Sequence, residues 1–368
     1  MTIPRRRTNK QANSIALGIL QQGRGGGMGL FLNLIFVALQ AMGAITNYKP
    51  VIVPLAGVQR VTLRGYNGDV KIVGSEKADK IRFDVRLMTD DKTPSFAKGL
   101  FDQWIFSYKL VGDNLKVEIR GPQSKEDWSK LIGNENENIP RYVMTITMPA
   151  RKLNFSWLLG KIFVQNWDQP ISITLQSGEI ILNKVTAEAN LSLLKGKAII
   201  SDCDGSLRLD AYDVDIKLSN SKGHLAIENF YGDTLVSQID GALDLSSFKG
   251  TTRVLKSKGQ IDFKNGRSTF KISDFEGDVR GKTLQGAVIG KFSGQNNIRI
   301  HSEDGPVDIN AANSGAYINI GTKKGHLYIP HYLRQTIWPS IRTATGSLRG
   351  SQKGYIYVRS NNGNVRIH

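Results

Sequence analysis

Cysteine occurs once in the 368 residues and histidine five times. A single thiol excludes a disulfide framework and a cysteine-built zinc site. Five scattered histidines argue against a His-rich metal enzyme, and no cofactor is implied. Acidic residues are absent from residues 1–27, and none follows Asp308. Disorder of the whole chain is excluded by a hydrophobic fraction of 40% against 22% charged. That length suits one elongated domain or two to three compact ones.

The acid-free start carries Arg5, Arg6, Arg7, Lys10 and Arg24, and an apolar run from Leu30 to Leu39 follows it. Ala41 and Gly43 are the small residues a signal peptidase requires, so residues 1–43 read as a secretory signal cleaved after Gly43. The alternative is an uncleaved anchor from Met28 to Ile45, which barely reaches spanning length and would add membrane contact. Removing the signal takes five positive charges from a net +17. Most of the remaining excess lies after Asp308, in Lys323, Lys324, Arg334, Arg342, Arg349, Lys353, Arg359 and Arg366.

Glycine is plentiful, and it is periodic. Stepping by nine from Gly178 to Gly286 meets glycine at ten of thirteen positions. The second and fourth residues after each position are almost always apolar, as in Leu207 and Leu209 or Leu225 and Ile227. The residue between them is often charged, as in Arg208 and Asp244. This alternation is the strand period. A nine-residue unit holds one strand and one corner and cannot bury its own apolar face, so units must stack. The expected fold is all-β, a parallel β-solenoid of two-strand coils, about 18 residues each.

Asp204, Lys222, Asp240, Lys258 and Glu276 lie 18 residues apart with alternating sign and would form a surface ladder. Glycine at each unit start fits a corner of positive φ or close backbone approach. The seventh residue after it is often large and apolar, as in Val185, Leu194, Tyr212, Phe230, Ile239, Phe248, Phe275 and Leu284, and is expected to point inward. Gly305, Gly315 and Gly325 suggest that the period lengthens to ten. Residues 330–353 then break the pattern before a closing strand at Gly363 to Ile367.

Upstream, Val58 to Gly74 reads as two strands around Tyr66-Asn67-Gly68-Asp69. Ile81 to Met88, Leu115 to Arg120 and Tyr142 to Met148 also alternate. Ser95 to Phe106 and Lys125 to Ile132 show helical spacing and are expected to cap the N-terminal end, since exposed solenoid ends need cover. The expected division is 1–43 signal, 44–150 N-terminal strands and caps, 151–329 regular repeats, and 330–368 basic insertion with the final strand.

The stretch from Val61 to Gly74, the strands at Ile81 to Met88 and Leu115 to Ile119, and the Gly-x-apolar-x-apolar repeats after Met144 to Pro149 resemble the bacterial "putative adhesin" domain family. The resemblance covers residues 50–368, although 92–135 and 330–353 are longer than that pattern. It implies a β-solenoid in the bacterial envelope or outside the cell, with no established activity and no catalytic residues to carry over.

No catalytic set can be assembled from the residues. Cys203 occupies a seventh position and reads as a small core residue. His224, His301 and His326 read as solvated turn residues. Asp202, Asp204, Asp213 and Asp215 cluster once, whereas a calcium β-roll needs its acidic motif in every unit. The expected function is therefore non-enzymatic and adhesin-like, presenting a surface to a glycan, lipid or protein of the envelope. The alternative is a solenoid polysaccharide lyase or hydrolase. Arg334, Arg342, Arg349 and Lys353, interleaved with Tyr332 and Trp338, form the candidate binding patch for anionic glycan or lipid head groups. Export sets nucleic acid aside.

Overall fold

The structure, a computed structural model, describes residues 44–47, 50–89, 105–120, 141–311, 314–350 and 353–368. The expected signal segment and both helical insertions, apart from Ile105 and Phe106, lie outside the described residues. The described chain is all-β.

Seven strands form the N-terminal part: β1 (Ala44–Asn47), β2 (Val51–Pro54), β3 (Arg60–Gly74), β4 (Lys80–Thr89), β5 (Ile105–Val111), β6 (Asn114–Arg120) and β7 (Arg141–Met148). The body comprises β8 (Lys152–Trp167), β9 (Ile171–Val185), β10 (Ala189–Ser201), β11 (Asp204–Tyr231), β12 (Thr234–Ser247), β13 (Thr251–Leu255), β14 (Lys258–Asn265), β15 (Thr269–Thr283) and β16 (Val288–Ser302). The C-terminal part holds β17 (Val307–Asn310), β18 (Tyr317–Thr322), β19 (Leu327–Tyr328), β20 (Arg334–Trp338), β21 (Ile341–Ser347), β22 (Tyr355–Ser360) and β23 (Val365–Ile367).

From β8 to β15 the strands pair in parallel at an offset of 18 residues, as in Leu191↔Leu209, Leu225↔Leu243 and Ile261↔Val279, and the step to β16 lengthens to 19 past an irregularity between Ser273 and Gly277. β12, β13, β15 and β14 close a ring of parallel pairings, because β12 and β15 each pair with both β13 and β14. The inward column Leu209, Ile227, Leu245 and Phe263 is buried, while Arg208 and Asp244 are exposed. Column by column, this is the alternation read from the sequence.

The glycines sit where backbones touch. Gly178 and Gly196 have φ of 137° and 130°, and a Cβ on either would fall onto the carbonyl oxygen of the glycine one step earlier. Any side chain would therefore push adjacent strands apart. A second column of positive φ is occupied by other residues: Asn166, Lys184, Asp202, Asn220, Gln238, Lys256 and Asp274, again 18 apart. Nothing in that mixed set marks it in the sequence.

This second column explains a correction. The seventh positions do not all point inward. Val185, Cys203, Ile239 and Phe275, each directly after a positive-φ residue, are buried. Leu194, Tyr212, Phe230 and Leu284 are between 41% and 56% exposed. The nine-residue units are thus of two kinds, one whose bend turns the next side chain in and one whose bend leaves it out. The outward residues form a ridge, with Tyr212 and Phe230 stacked at 5.4 Å and Phe230 and Phe248 at 4.8 Å.

Val58 to Gly74 does not form two strands around Tyr66 to Asp69. β3 runs through it, and both halves pair in parallel with β8, which a reversal would forbid. The Trp157 ring fills the space a side chain on Gly65 would need, and its indole N–H donates to the Gly68 carbonyl at 3.0 Å.

The ten-residue step at the C-terminus is also corrected. Gly305 is followed in space by Gly363, and Gly363 by Gly325, each lying under the previous carbonyl. β22 lies between β16 and β18, and β23 between β17 and β19. The last strands are therefore interior. The N-terminal end mirrors this, with β3 held between β8 on one side and β6 and β7 on the other. At both ends antiparallel strands stand outside these interior ones, β4 and β5 at one and β21 and β20 at the other. Alternation alone cannot reveal such an order, because any parallel strand satisfies it.

Candidate binding surfaces

The basic C-terminal stretch forms the β20–β21 hairpin and the chain flanking it. Arg334 and Trp338 lie on β20, which pairs only with β21 among the described strands and is exposed along its length. Trp338 is 59% exposed, and Ile337 beside it 69%. The Arg349 guanidinium lies 4.4 Å from the centre of the Tyr332 ring, a cation–π contact. Arg342 is already engaged, donating to the Gly325 carbonyl. Lys353 is exposed. The structure brings Tyr332 to Arg349.

A different surface does gather charge. β14, β15, β16 and β22 lie side by side in register, so their outward residues form two columns. One column runs Asp244, Asp262, Arg280, Arg299, Tyr357. The other runs Ser246, Lys264, Lys282, His301, Arg359. Like charges therefore stand directly opposed three times, once acidic with Asp244 beside Asp262 and twice basic with Lys264 beside Lys282 and Arg280 beside Arg299. A groove follows these columns, with Phe263, Gly281 and Ile300 among its lining residues.

Aromatic rings frame the downstream end. Arg359 stands 4.3 Å and Arg299 5.9 Å from the centre of the Tyr357 ring. Tyr355 stacks on Tyr317 at 6.2 Å, with Tyr357 a further 6.4 Å along. The Arg359 guanidinium also donates to the Asn319 carbonyl and side-chain oxygens at 3.0 and 2.7 Å, which fixes its orientation. The His301 ring nitrogen pairs with Glu303 at 3.1 Å. The Glu303 carboxyl is held below its ordinary range first by the Asn361 amide and then by His301.

Sequence reasoning found the hairpin cations and missed this face. Its members lie on strands β14 to β16 and on β22, and the insertion of β22 unites them. Two other readings are refined. His224 is exposed as expected but has a partner, Asp244 at 2.8 Å. Cys203 is buried, and burial raises its thiol to about 11. Among the described residues no group of three or more His, Cys, Asp or Glu side chains could hold a metal ion. None of their helices is long and apolar enough to cross a membrane.

No family model and no curated protein matches the chain. Solved structures similar to it are described as adhesins or binding proteins. A "putative adhesin" of Parabacteroides merdae shares 9% identity over 73% of this chain and 96% of its own, with a TM-score of 0.35. A "putative cell adhesion protein" of Clostridium sporogenes shares 12% over 88% and 99%, with a TM-score of 0.24. A "putative lipid binding protein" of Parabacteroides distasonis shares 12% over 89% and 97%, with a TM-score of 0.31. Superpositions this loose carry no conclusion about ligand or activity.

Proposed function

We propose that the chain is an exported, non-enzymatic, adhesin-like protein whose 18-residue steps wind as a parallel β-solenoid of two-strand coils and whose C-terminal third holds an anionic ligand. The binding part rests on the two basic stacks, Lys264 beside Lys282 and Arg280 beside Arg299. Like charges directly opposed across a sheet destabilise it. A face that keeps two such pairs is arranged to receive negative charge from outside.

The solenoid reading is supported by the offset of 18 held from β8 to β15 and by the ring of β12 to β15. The basic start and apolar run of residues 1–43 support export, with residues 44–150 as N-terminal strands and caps, 151–329 as the regular repeats and 330–368 as the basic insertion with the final strand. Export leaves acidic glycans and anionic lipid head groups as ligand classes, with an envelope protein as a further partner. The hairpin residues Arg334, Arg342, Arg349, Lys353, Trp338 and Tyr332 form the outer rim of the same end.

The test incubates the full chain with anionic polysaccharides at low and physiological salt, with and without calcium. Retention that weakens as salt rises, with polymer length unchanged, is the expected result, since exposed charges are screened over about 8–10 Å at physiological ionic strength. Shortening of the polymer would overturn the non-enzymatic reading in favour of a lyase or hydrolase. Absence of salt-sensitive retention would overturn the binding reading.

A further inference from the structure

We infer that the basic face is a track for a linear polyuronate, a sugar polymer with a carboxylate on every ring, lying across β14, β15, β16 and β22. This rests on the anionic-ligand reading above and adds direction and spacing to it.

Spacing comes first. Adjacent strands are about 4.8 Å apart. Each pyranose ring lengthens an extended polymer by nearly the same amount. A chain crossing the strands at right angles therefore offers about one carboxylate per strand. Lys264, Lys282 and, beyond His301, Arg359 form one bank, and Arg280 and Arg299 the other. The banks lie two residues apart along each strand, about 6.6 Å. Successive rings of an extended chain turn their carboxylates to opposite sides, so both banks are used.

Charge sets the limits of the track. Among the described residues Lys264, Arg280, Lys282 and Arg299 have no carboxylate within ion-pair distance. Asp262, at the upstream edge, accepts a hydrogen bond from the Gln260 amide at 2.5 Å. Further upstream the same columns turn acidic, with Asp244 in one and Glu228 in the other, and a polyanion is repelled there. The track thus spans about four strands and as many rings.

Two features favour sugar over a phosphate polymer or a bilayer. The groove between the banks has Phe263, Gly281 and Ile300 among its lining residues, an apolar floor that a phosphate polymer would not use. Downstream, Tyr357 continues the Arg280–Arg299 column, and Tyr355 with the half-exposed Tyr317 flanks it one column aside, aromatic surface that suits the apolar face of a pyranose ring.

The experiment measures equilibrium binding of the full chain to polygalacturonate, with a carboxylate on every ring, and to hyaluronan, with one on every second ring, at equal carboxylate concentration. Polyphosphate and phosphatidylglycerol vesicles are the other arms. Polygalacturonate should bind at least about tenfold more tightly than hyaluronan or polyphosphate, because only its charges match both banks. Lys264→Gln with Lys282→Gln should weaken it by at least about tenfold, whereas Arg334→Gln with Arg349→Gln should change it less than about threefold. Both lysines are exposed, so folding is not at risk, and a preserved circular dichroism spectrum checks this. Equal binding of hyaluronan, polyphosphate or vesicles would overturn the track and leave the anionic-ligand reading standing. Loss of binding only in the hairpin variant would do the same. No binding of any polyanion would remove both.

Discussion

Two charged columns run along this molecule, and they are built on opposite principles. In one, Lys222, Asp240, Lys258 and Glu276 succeed each other in register with alternating sign, and Lys258 reaches Asp240 at 3.1 Å. The other is double, with Lys264 against Lys282 on one side and Arg280 against Arg299 on the other, and Asp262 next upstream of Arg280. The strand spacing is the same in both. The first column neutralises itself and asks nothing of solvent or partner. The second is left with unpaired charge on a lined groove. A repeating scaffold multiplies any outward choice of residue, so one fold gives an inert edge in one place and a receptive face in another.

The harshest way to break the comparison is to remove the register both columns share. Gly259 sits next to Lys258 with φ of 120°, and a Cβ there would fall onto the Gly241 carbonyl. Gly259→Val should cost more than about 4 kcal/mol, the range of severe backbone and packing lesions. Thermal unfolding should show either a collapsed melting temperature or no folded protein.

A milder lesion tests the inward column on which both rest. Ile227→Ala or Leu245→Ala should cost roughly 2–5 kcal/mol. Arg208→Ala, outward of the same strands, should leave the melting temperature unmoved. Denaturant titration separates them, and equal sensitivity at both kinds of site would refute the in-out assignment.

Reversing one charge in each column sharpens the contrast. Asp240→Lys creates three like charges in a row and should destabilise by about 0.2–1 kcal/mol. Lys282→Glu relieves repulsion with Lys264 and should stabilise by a similar amount, about 0.2–1 kcal/mol. Opposite signs that both fade in high salt are the expected outcome in melting experiments. The same sign in both would mean that the columns do not differ electrostatically.

The smallest effect belongs to a residue in neither column. Cys203 lies one 18-residue step from Ser221, whose hydroxyl accepts its backbone N–H at 3.1 Å. Cys203→Ser therefore places a residue the column already uses and should change stability by less than about 1 kcal/mol near neutral pH. Because burial raises the folded thiol from 9.0 to about 11, the stability it contributes is intact below the unfolded value and is lost as pH rises through the folded one. The serine variant should lose less stability between those limits than the parent, measured by denaturant midpoint.

Legibility in the sequence followed the range of the forces. The 18-residue register was readable because a glycine under a neighbouring carbonyl is a local requirement, repeated from Gly178 to Gly286. The alternation of Leu225 and Ile227 with their outward neighbours was readable for the same reason. The column from Asn166 to Asp274 was not, since asparagine, lysine, aspartate and glutamine all tolerate that bend when tertiary packing holds it. Missing it led to the expectation that Tyr212 and Phe230 point inward. The hairpin cations were visible as a run without acids. The basic face was not, because Arg299 and Arg359 become neighbours across Tyr357 only once β22 is inserted.

That insertion also governs when the molecule can be finished. Residues 317–322 pair with β22 on one side and β21 on the other, and β22 alone links them to β16. A chain made from its N-terminus produces β18 to β21 before the strand that seats them. These residues must wait, unregistered on the body, until 355–360 emerge and slide beneath them. Assembly order and synthesis order are therefore different at this end. A copy that stops before residue 355 therefore leaves these strands without their seat on the body.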